Sequence, residues 1–165
     1  MKTKLLRSLL PLALVFTMFS CSSDATEETT TDRTLIQNYD YNSDESKLAA
    51  DINAYRESLG LTKLEIINHI SYKSEEHNQY MIANNVVNHD YFQQRSHNIM
   101  QVLGAVKVNE NVAYNFNTTE GALAAWLASP GHKSNIEGDF TSFGISITID
   151  TETGKKYFTN IFMKK

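Results

Sequence analysis

The spacing of apolar residues changes along this chain, and that change constrains the fold more than any other feature of the sequence. Between about residues 44 and 128 apolar side chains recur every three or four positions, whereas between Phe143 and Met163 they recur every second position. The first spacing is typical of amphipathic helices and the second of strands. The sequence therefore predicts an α+β fold in which helices come first and pack on a small antiparallel sheet.

The first two predicted helices lie between residues 44 and 85. One face of the first helix carries four apolar side chains, which are Leu48, Ile52, Tyr55 and Leu59. Gly60 follows and is suited to a helix C-terminus. Thr62 and Glu65 have the spacing of a capping box, which predicts that the second helix starts there.

Two further helices and a hairpin complete the predicted domain. Helices are expected over residues 93–103 and 119–128, and the latter must end before Pro130 because the residue preceding a proline disfavours the helical conformation. Residues 143–149 and 157–163 alternate apolar with small or polar side chains on either side of a turn, which predicts a β-hairpin. The expected architecture is therefore about four helices around a small antiparallel sheet.

Several residues of these elements are assigned to the interior of the domain. His77 of the second helix is interpreted as a hydrogen-bonded core histidine rather than a ligand. Arg56 and Arg95 are expected to pair with acidic residues such as Glu110 in a structural role. The large aromatic side chains are expected in the core, where each buries much apolar area; these are Trp126, Tyr157, Phe158 and Phe162.

The first 20 residues predict where the protein is found. Lys2, Lys4 and Arg7 precede an apolar stretch that ends at Ser20, which is the pattern of a secretory signal peptide. The only cysteine, Cys21, follows directly, and this arrangement resembles a bacterial lipobox, in which the signal peptide is removed and the cysteine is lipidated. The sequence therefore predicts a protein anchored to a membrane of the bacterial cell envelope, on a periplasmic or surface face and outside the cytoplasm.

Residues 21–43 are rich in Ser, Thr, Asp and Glu. This composition buries too little apolar surface to offset the entropy of ordering, which predicts a flexible acidic tether before a domain at residues 44–165. Nucleic acid is not an expected partner, because three of the 15 Lys and Arg residues precede residue 21 whereas all 19 Asp and Glu residues follow it. The predicted partner on the anchor side is the membrane, through lipidated Cys21.

Three residues outside the apolar faces are candidates for chemistry, namely His89, Glu110 and His132. Two imidazoles and one carboxylate form the ligand set of many open zinc sites, so these residues are candidate ligands of zinc or another divalent cation. Their wide separation in the sequence leaves a second interpretation open, in which they form a polar cluster that satisfies buried backbone groups. Ser129, close to His132 in the sequence, is a candidate nucleophile that nothing marks as activated.

Several short motifs occur in a fixed order along residues 46–162. The most specific reads Ala125-Trp126-Leu127-Ala128-Ser129-Pro130-Gly131-His132-Lys133-Ser134-Asn135-Ile136, and others are Asn88-His89-Asp90-Tyr91-Phe92, Asn109-Glu110-Asn111-Val112-Ala113 and Phe140-Thr141-Ser142-Phe143-Gly144-Ile145. Together they resemble the CAP superfamily, also called SCP or cysteine-rich secretory protein, antigen 5 and pathogenesis-related 1 proteins, and specifically its short bacterial branch.

The resemblance implies an α-β-α sandwich with a surface cavity that in some members binds a divalent metal such as zinc. His89, Glu110 and His132 match the family's cavity residues. Ser129 stands where eukaryotic members have a second acidic residue, and Asp139 stands where they have a second histidine. These five residues form the predicted binding cavity, and its ligand set differs from the eukaryotic one.

Three functions remain open from the sequence. The first is a lipid-anchored binding module whose cavity engages an envelope lipid, a glycan or a protein. The second is a hydrolase in which His89 and His132, with or without a metal, activate water while Glu110 accepts its proton. The third is a structural surface protein whose polar cluster stabilises the fold. Ser129 in place of a second glutamate favours binding over catalysis.

Overall fold

The computed structural model describes residues 33–165, so the predicted signal peptide and Cys21 lie outside the described residues. Five helices and four strands form within this range. In chain order they are α1 (Ser43–Ser58), β1 (Glu65–Ile66), α2 (Asn68–Asn84), α3 (Phe92–Leu103), β2 (Lys107–Tyr114), α4 (Thr119–Ala128), α5 (Pro130–Ile136), β3 (Ser142–Ile149) and β4 (Lys156–Lys164).

The strands form one mixed sheet in the order β1-β3-β4-β2. β3 and β4 pair antiparallel as the predicted hairpin, β2 pairs antiparallel with β4, and the short β1 pairs parallel with β3. α2 and α3 cover one face of the sheet, and α1, α4 and α5 cover the other. The α+β sandwich is confirmed, with a fifth helix that begins at Pro130 and with β1 making the sheet mixed rather than purely antiparallel.

The alternation along β3 and β4 distributes the core between the two faces. The larger cluster lies beneath α1, α4 and α5 and includes Leu48, Ile52, Trp126, Ile136, Phe143, Ile145, Phe158 and Phe162, all at most 1% exposed. A smaller cluster beneath α2 and α3 includes Ile70, Ile99, Val108, Ile161 and Met163. The four aromatic residues assigned to the core are all buried, which confirms that assignment. Leu59, predicted on the apolar face of α1, is instead 51% exposed.

The α2 face of β3 carries small residues, and they allow α2 to lie close to the sheet. Gly144 faces the backbone of Ile70 and Ser71 so closely that a methyl group would overlap it. The Ser71 hydroxyl accepts a hydrogen bond from the backbone N–H of Ile145 at 3.0 Å. Asn78 donates to the Ser146 carbonyl at 3.0 Å, further along both α2 and β3.

The predicted start of α2 at Thr62 and Glu65 is wrong. The side chain of Asn53 on α1 accepts a hydrogen bond from the Leu64 N–H at 2.8 Å and donates to the Leu64 carbonyl at 3.0 Å. This pair of bonds holds the chain extended, and the Glu65 N–H then donates to the Thr141 carbonyl as β1 joins the sheet. α2 therefore begins later, at Asn68.

The segment before α1, predicted to belong to a flexible tether, contacts the domain over residues 33–42. The Ile36 N–H donates to Nδ1 of His69 at 3.2 Å, and the Tyr39 hydroxyl donates to Ser146 Oγ at 3.1 Å. The Tyr41 hydroxyl donates to Asn68 Oδ1 at 3.0 Å. The tether prediction is therefore wrong for these residues, because their few aromatic side chains reach hydrogen-bond acceptors on α2 and β3.

A capping box does form, one helix earlier than predicted. Asn42 Oδ1 accepts from the Glu45 N–H, and Glu45 Oε2 accepts from the Asn42 N–H, both at 2.9 Å. The second carboxylate oxygen of Glu45 accepts from the Ile147 N–H at 2.8 Å, so one buried side chain joins the start of α1 to β3. None of the helices formed by residues 33–165 combines the length and hydropathy needed to span a bilayer.

Substituting Gly144 tests the close approach of α2 to the sheet. The Gly144→Ala variant places a methyl group against the backbone of Ile70 and Ser71, which cannot move aside as a flexible side chain can. We expect the free energy of unfolding in urea to fall by about 1–3 kcal/mol. Gly131→Ala is the matched control, because nothing lies within 4 Å of its added methyl group. Equal stability of the two variants would contradict the close approach.

Candidate functional site

The site is assembled where the loop between α2 and α3 meets β2, one of the two edge strands of the sheet. His89 lies in that loop and Glu110 lies in β2 on the face covered by α3. His89 Nδ1 and Glu110 Oε1 are 2.8 Å apart, so two of the residues predicted from the sequence are in direct contact.

Arg95 of α3 holds the carboxylate of Glu110 from the other side. Its Nε donates to Glu110 Oε2 and its Nη2 donates to Oε1, both at 2.9 Å. The two side chains are 9% and 2% exposed, so their attraction is little screened by water. Burial lowers the pKa of Arg95, and the charge of Glu110 opposes that shift. The predicted structural pairing of Arg95 with Glu110 is confirmed, whereas Arg56 instead donates to backbone carbonyls, among them that of Ile136.

His77 of α2 completes the buried part of the cluster. Its Nε2 lies 2.8 Å from the Asn88 carbonyl and 3.8 Å from Glu110 Oε1. The ring is 1% exposed, and burial lowers its pKa against the opposing charge of Glu110. A neutral His77 donates from Nε2 to Asn88 and thereby fixes the loop that carries His89. These contacts agree with the interpretation of His77 as a hydrogen-bonded core histidine.

His89 is the most accessible member of the cluster, with 52% of its side chain exposed. A carboxylate paired with an arginine only accepts hydrogen bonds, so Nδ1 of His89 is the donor in the bond to Glu110. In the neutral imidazole the other nitrogen, Nε2, then has a free lone pair. The cluster therefore presents one oriented imidazole nitrogen at the surface.

A cavity of about 270 Å³ opens beside this imidazole. It is lined by His89, Phe92, Asn109, Glu110 and Asn135. Asn109 donates to Asn135 Oδ1 at 2.7 Å across the gap between β2 and α5. The lining thus combines an imidazole and two amides with one aromatic ring, and its carboxylate is already neutralised by Arg95.

α5 is fixed to β2 by the second half of the amide network. Asn135 donates to Asn111 Oδ1 at 2.7 Å, and Asn111 donates to the backbone carbonyl of His132 at 3.0 Å. Pro130 begins this helix at its first turn, where the missing N–H of proline costs no hydrogen bond. The segment around His132 is therefore held against β2 chiefly through asparagine side chains.

The other three predicted cavity residues, Ser129, His132 and Asp139, take no part in the hydrogen bond between His89 and Glu110. His132 is half-buried, and burial together with the charge of His89 lowers its pKa, but its side chain does not line the cavity. Ser129 precedes α5 and its side chain forms no capping hydrogen bond. Asp139 pairs with Lys164 at the end of β4, and this ion pair holds the pKa of Asp139 below its usual range. The structure thus joins His89 to Glu110 and leaves Asp139 outside the cavity.

The arrangement does not fit a bound metal ion. Both oxygens of Glu110 already accept hydrogen bonds, and a cation placed on them would face the guanidinium of Arg95. Within residues 33–165 no three or more His, Cys, Asp or Glu side chains converge as a metal site requires. A zinc site of the open type needs three such ligands.

Sequence reasoning missed three of the residues that line the cavity, which are Phe92, Asn109 and Asn135. Each lies inside a motif quoted above, adjacent to or three residues from a predicted histidine or glutamate. Asparagine and phenylalanine carry no titratable group, so a search for chemistry-bearing residues passes over them. Their position in the same motifs as His89, Glu110 and His132 is the sequence feature that could have identified them as cavity residues.

Comparisons with known proteins agree with this architecture. The family model described as "CAP: Cysteine-rich secretory protein family" matches residues 49–162. An uncharacterized membrane protein of Bacillus subtilis, YlbC, is 30% identical over 117 residues, which are 68% of this chain and 32% of that protein. The chain thus spans about a third of the length of this curated relative.

Two solved bacterial structures share the fold. An outer surface protein from Borrelia burgdorferi superposes with a TM-score of 0.69 at 25% identity, over 77% of this chain and 96% of that one. An extracellular protein containing an SCP domain from Bacillus anthracis superposes with a TM-score of 0.65 at 23% identity, over 74% of this chain and 40% of that one. The sandwich described here is therefore a fold found in several bacteria.

A double-mutant cycle on Arg95 and Glu110 tests the buried ion pair. Arg95→Met leaves a buried carboxylate without its partner, and we expect it to lower the free energy of unfolding by about 3–5 kcal/mol. The double variant Arg95→Met/Glu110→Gln removes both charges and is expected to recover part of that loss. Lys63→Met is the control, because its exposed ion pair with Glu57 is worth no more than about 1 kcal/mol. If Arg95→Met lost less unfolding free energy than the control Lys63→Met, the stabilising role of the Arg95–Glu110 pair would be contradicted.

Proposed function

The chain belongs to the CAP family of cysteine-rich secretory proteins, and from this we propose that it acts outside the cytoplasm as a binding module whose cavity holds an uncharged, polar ligand. The proposal rests on the carboxylate of Glu110, whose two oxygens already accept hydrogen bonds from other side chains. Arg95 and His89 occupy both of its oxygens, so the carboxylate is free neither to bind a cation nor to accept a proton from water. The groups left for a ligand are neutral hydrogen-bonding groups and one aromatic ring.

The chemistry of the lining narrows the ligand class. The amide of Asn109 can still both donate and accept, whereas Asn135 can only accept, because its N–H groups already donate to Asn111 Oδ1 and to the Glu110 carbonyl. His89 Nε2 accepts when the ring is neutral. Hydroxyl groups of a glycan and backbone amides of a peptide match such a set, whereas a lipid tail offers no polar group to pair with it. Among the envelope lipid, glycan and protein ligands expected from the sequence, the cavity therefore favours a glycan or a peptide.

Hydrolysis is the second candidate function, and one observation favours it. Glu110 fixes His89 through Nδ1 and leaves Nε2 free at the surface, which is how a carboxylate orients the general base in hydrolases. The proton accepted from water would then rest on His89, and Glu110 would stabilise the charged ring. Ser129 is not in the cavity lining, so the nucleophile in this alternative is water.

The location outside the cytoplasm is supported by the relatives and by the start of the sequence. The Borrelia structure is of an outer surface protein and the Bacillus anthracis structure is of an extracellular protein. We propose that residues 1–20 are a signal peptide and that lipidation of Cys21 anchors the domain to the cell envelope. Acyl chains contribute about 0.8 kcal/mol per buried methylene group, so a multiply acylated cysteine remains in a membrane without a spanning helix.

Ligand binding is tested with His89→Ala, which removes the exposed imidazole and leaves the Arg95–Glu110 bonds in place. We expect the full chain to bind a saccharide or peptide fraction of bacterial envelopes in isothermal titration calorimetry, and His89→Ala to weaken binding by about tenfold, since one hydrogen bond to a ligand is worth about 1 kcal/mol or more. His97→Ala, an exposed histidine on α3, is the control.

The outcomes separate the three functions. Absence of binding to any fraction, together with a lower Tm for His89→Ala, would support the purely structural alternative. Release of fragments that depends on His89 would support hydrolysis. Tight binding without turnover, lost in His89→Ala at unchanged Tm, is the result that we expect.

The lipid anchor is tested with Cys21→Ser in a bacterial host grown with labelled palmitate. We expect the wild-type protein to carry the label and to sediment with membranes, because the acyl chains on Cys21 hold it there. Cys21→Ser is expected to lose the label and the membrane association, while Ser22→Ala retains both. A labelled Cys21→Ser protein would show that the anchor lies elsewhere.

A further inference from the structure

Tyr91, at the end of the loop that carries His89, adopts an unusual backbone conformation. Its φ is 58° and its ψ is 18°, in the left-handed region. Three non-glycine residues of the described range have positive φ, and the other two, Asn85 and Asn115, are asparagines. Asparagine visits this region readily, whereas a bulky aromatic residue does so at a cost. A glycine or an asparagine would therefore suit the backbone at position 91 better than the tyrosine found there.

The surrounding hydrogen bonds impose this conformation. Nη1 of Arg95 donates to the Asp90 carbonyl at 2.6 Å, and the backbone N–H of Arg95 donates to the Tyr91 carbonyl at 3.2 Å. The Tyr80 hydroxyl donates to Asp90 Oδ2 at 2.9 Å. Both peptide groups that flank Tyr91 are thus fixed by the same arginine that holds Glu110, and the strain persists because the loop is held on each side.

The side chain of Tyr91 adds little to the core. It is 59% exposed, and its ring meets the ring of Tyr80 edge to face, with the centroids 5.2 Å apart and the planes at 90°. This contact fixes the orientation of the Tyr91 ring while most of its surface stays in water. Tyr91 is adjacent in sequence to Phe92 and two residues from His89, both of which line the cavity. An oriented aromatic ring is therefore exposed on the loop whose His89 imidazole lines the cavity.

We propose that Tyr91 packs against a sugar ring of the ligand and so determines that the ligand is a saccharide. This inference rests on the proposed binding function and assigns its ligand class. The C–H groups on one face of a pyranose pack on an aromatic ring, while its hydroxyl groups pair with amides such as those of Asn109 and Asn135. A cavity of about 270 Å³ is smaller than the roughly 300–1,000 Å³ of pockets for drug-sized ligands, so it accepts one ring of a longer chain.

The test distinguishes the effect of the Tyr91 ring on binding from the effect of the backbone conformation on stability. Tyr91→Asn and Tyr91→Gly remove the ring and supply residues that favour the left-handed conformation, whereas Tyr91→Phe keeps the ring. The probes for calorimetry with the full chain are tri-N-acetylglucosamine, cellotriose and trialanine. We expect the Asn and Gly variants to retain or raise the Tm and to bind a trisaccharide about tenfold more weakly, the effect of losing one aromatic contact. Tyr91→Phe is expected to bind as the wild type does.

Each of the other possible results would overturn one part of the saccharide proposal. Trisaccharide binding that is equal in the wild type and Tyr91→Asn would overturn the role of Tyr91 and leave the binding function intact. A Tm several degrees lower in both Tyr91→Asn and Tyr91→Gly would show that the ring serves folding, and would also overturn it. Binding of trialanine without either trisaccharide would overturn the saccharide class alone, and binding of none of the three together with no retained envelope fraction would overturn the binding function as well.

Discussion

The buried pair of Arg95 and Glu110 is the interaction on which the rest of the site depends. It joins α3 to the edge strand β2, and the same guanidinium also fixes the Asp90 carbonyl of the preceding loop. Taking two charges out of water is costly, and the attraction between them offsets that cost only when both are fully hydrogen-bonded. Both groups meet this condition here, because Glu110 accepts from Arg95 and His89 and Arg95 donates from Nε, Nη1 and Nη2.

Because Arg95 and Glu110 are fully hydrogen-bonded, the site combines an accessible histidine with an inaccessible carboxylate. A glutamate in a polar cleft usually suggests a metal ligand or a proton acceptor. In this protein the carboxylate instead orients His89, and the charge of Glu110 is compensated by Arg95. Neutral amides and an aromatic ring then make up most of the cavity lining, which is consistent with the proposed binding function.

The spacing of apolar residues predicted the helices and strands that depend on local sequence. It failed where side chains distant in the sequence determine the conformation. The β3–β4 hairpin, α3 and α4 follow directly from the spacing of apolar residues. The start of α2 did not, because the amide of Asn53 on the preceding helix holds Leu64 in an extended conformation. The pairing of Arg95 with Glu110 was expected from charge, whereas the ion pair of Asp139 with Lys164 requires the register of β4, which no local motif encodes.

The polar character of the sheet face beneath α2 links the fold to the electrostatics of the site. Gly144 and Ser146 on β3 let α2 approach closely, and the approach carries His77 to within 3.8 Å of Glu110 without access to water. A bulkier face would hold α2 further out and would admit solvent between these two side chains. In the dry arrangement His77 stays neutral and donates to the Asn88 carbonyl, which fixes the loop bearing His89 and Tyr91. The small residues of β3 thus determine the geometry of a cavity that none of them touches.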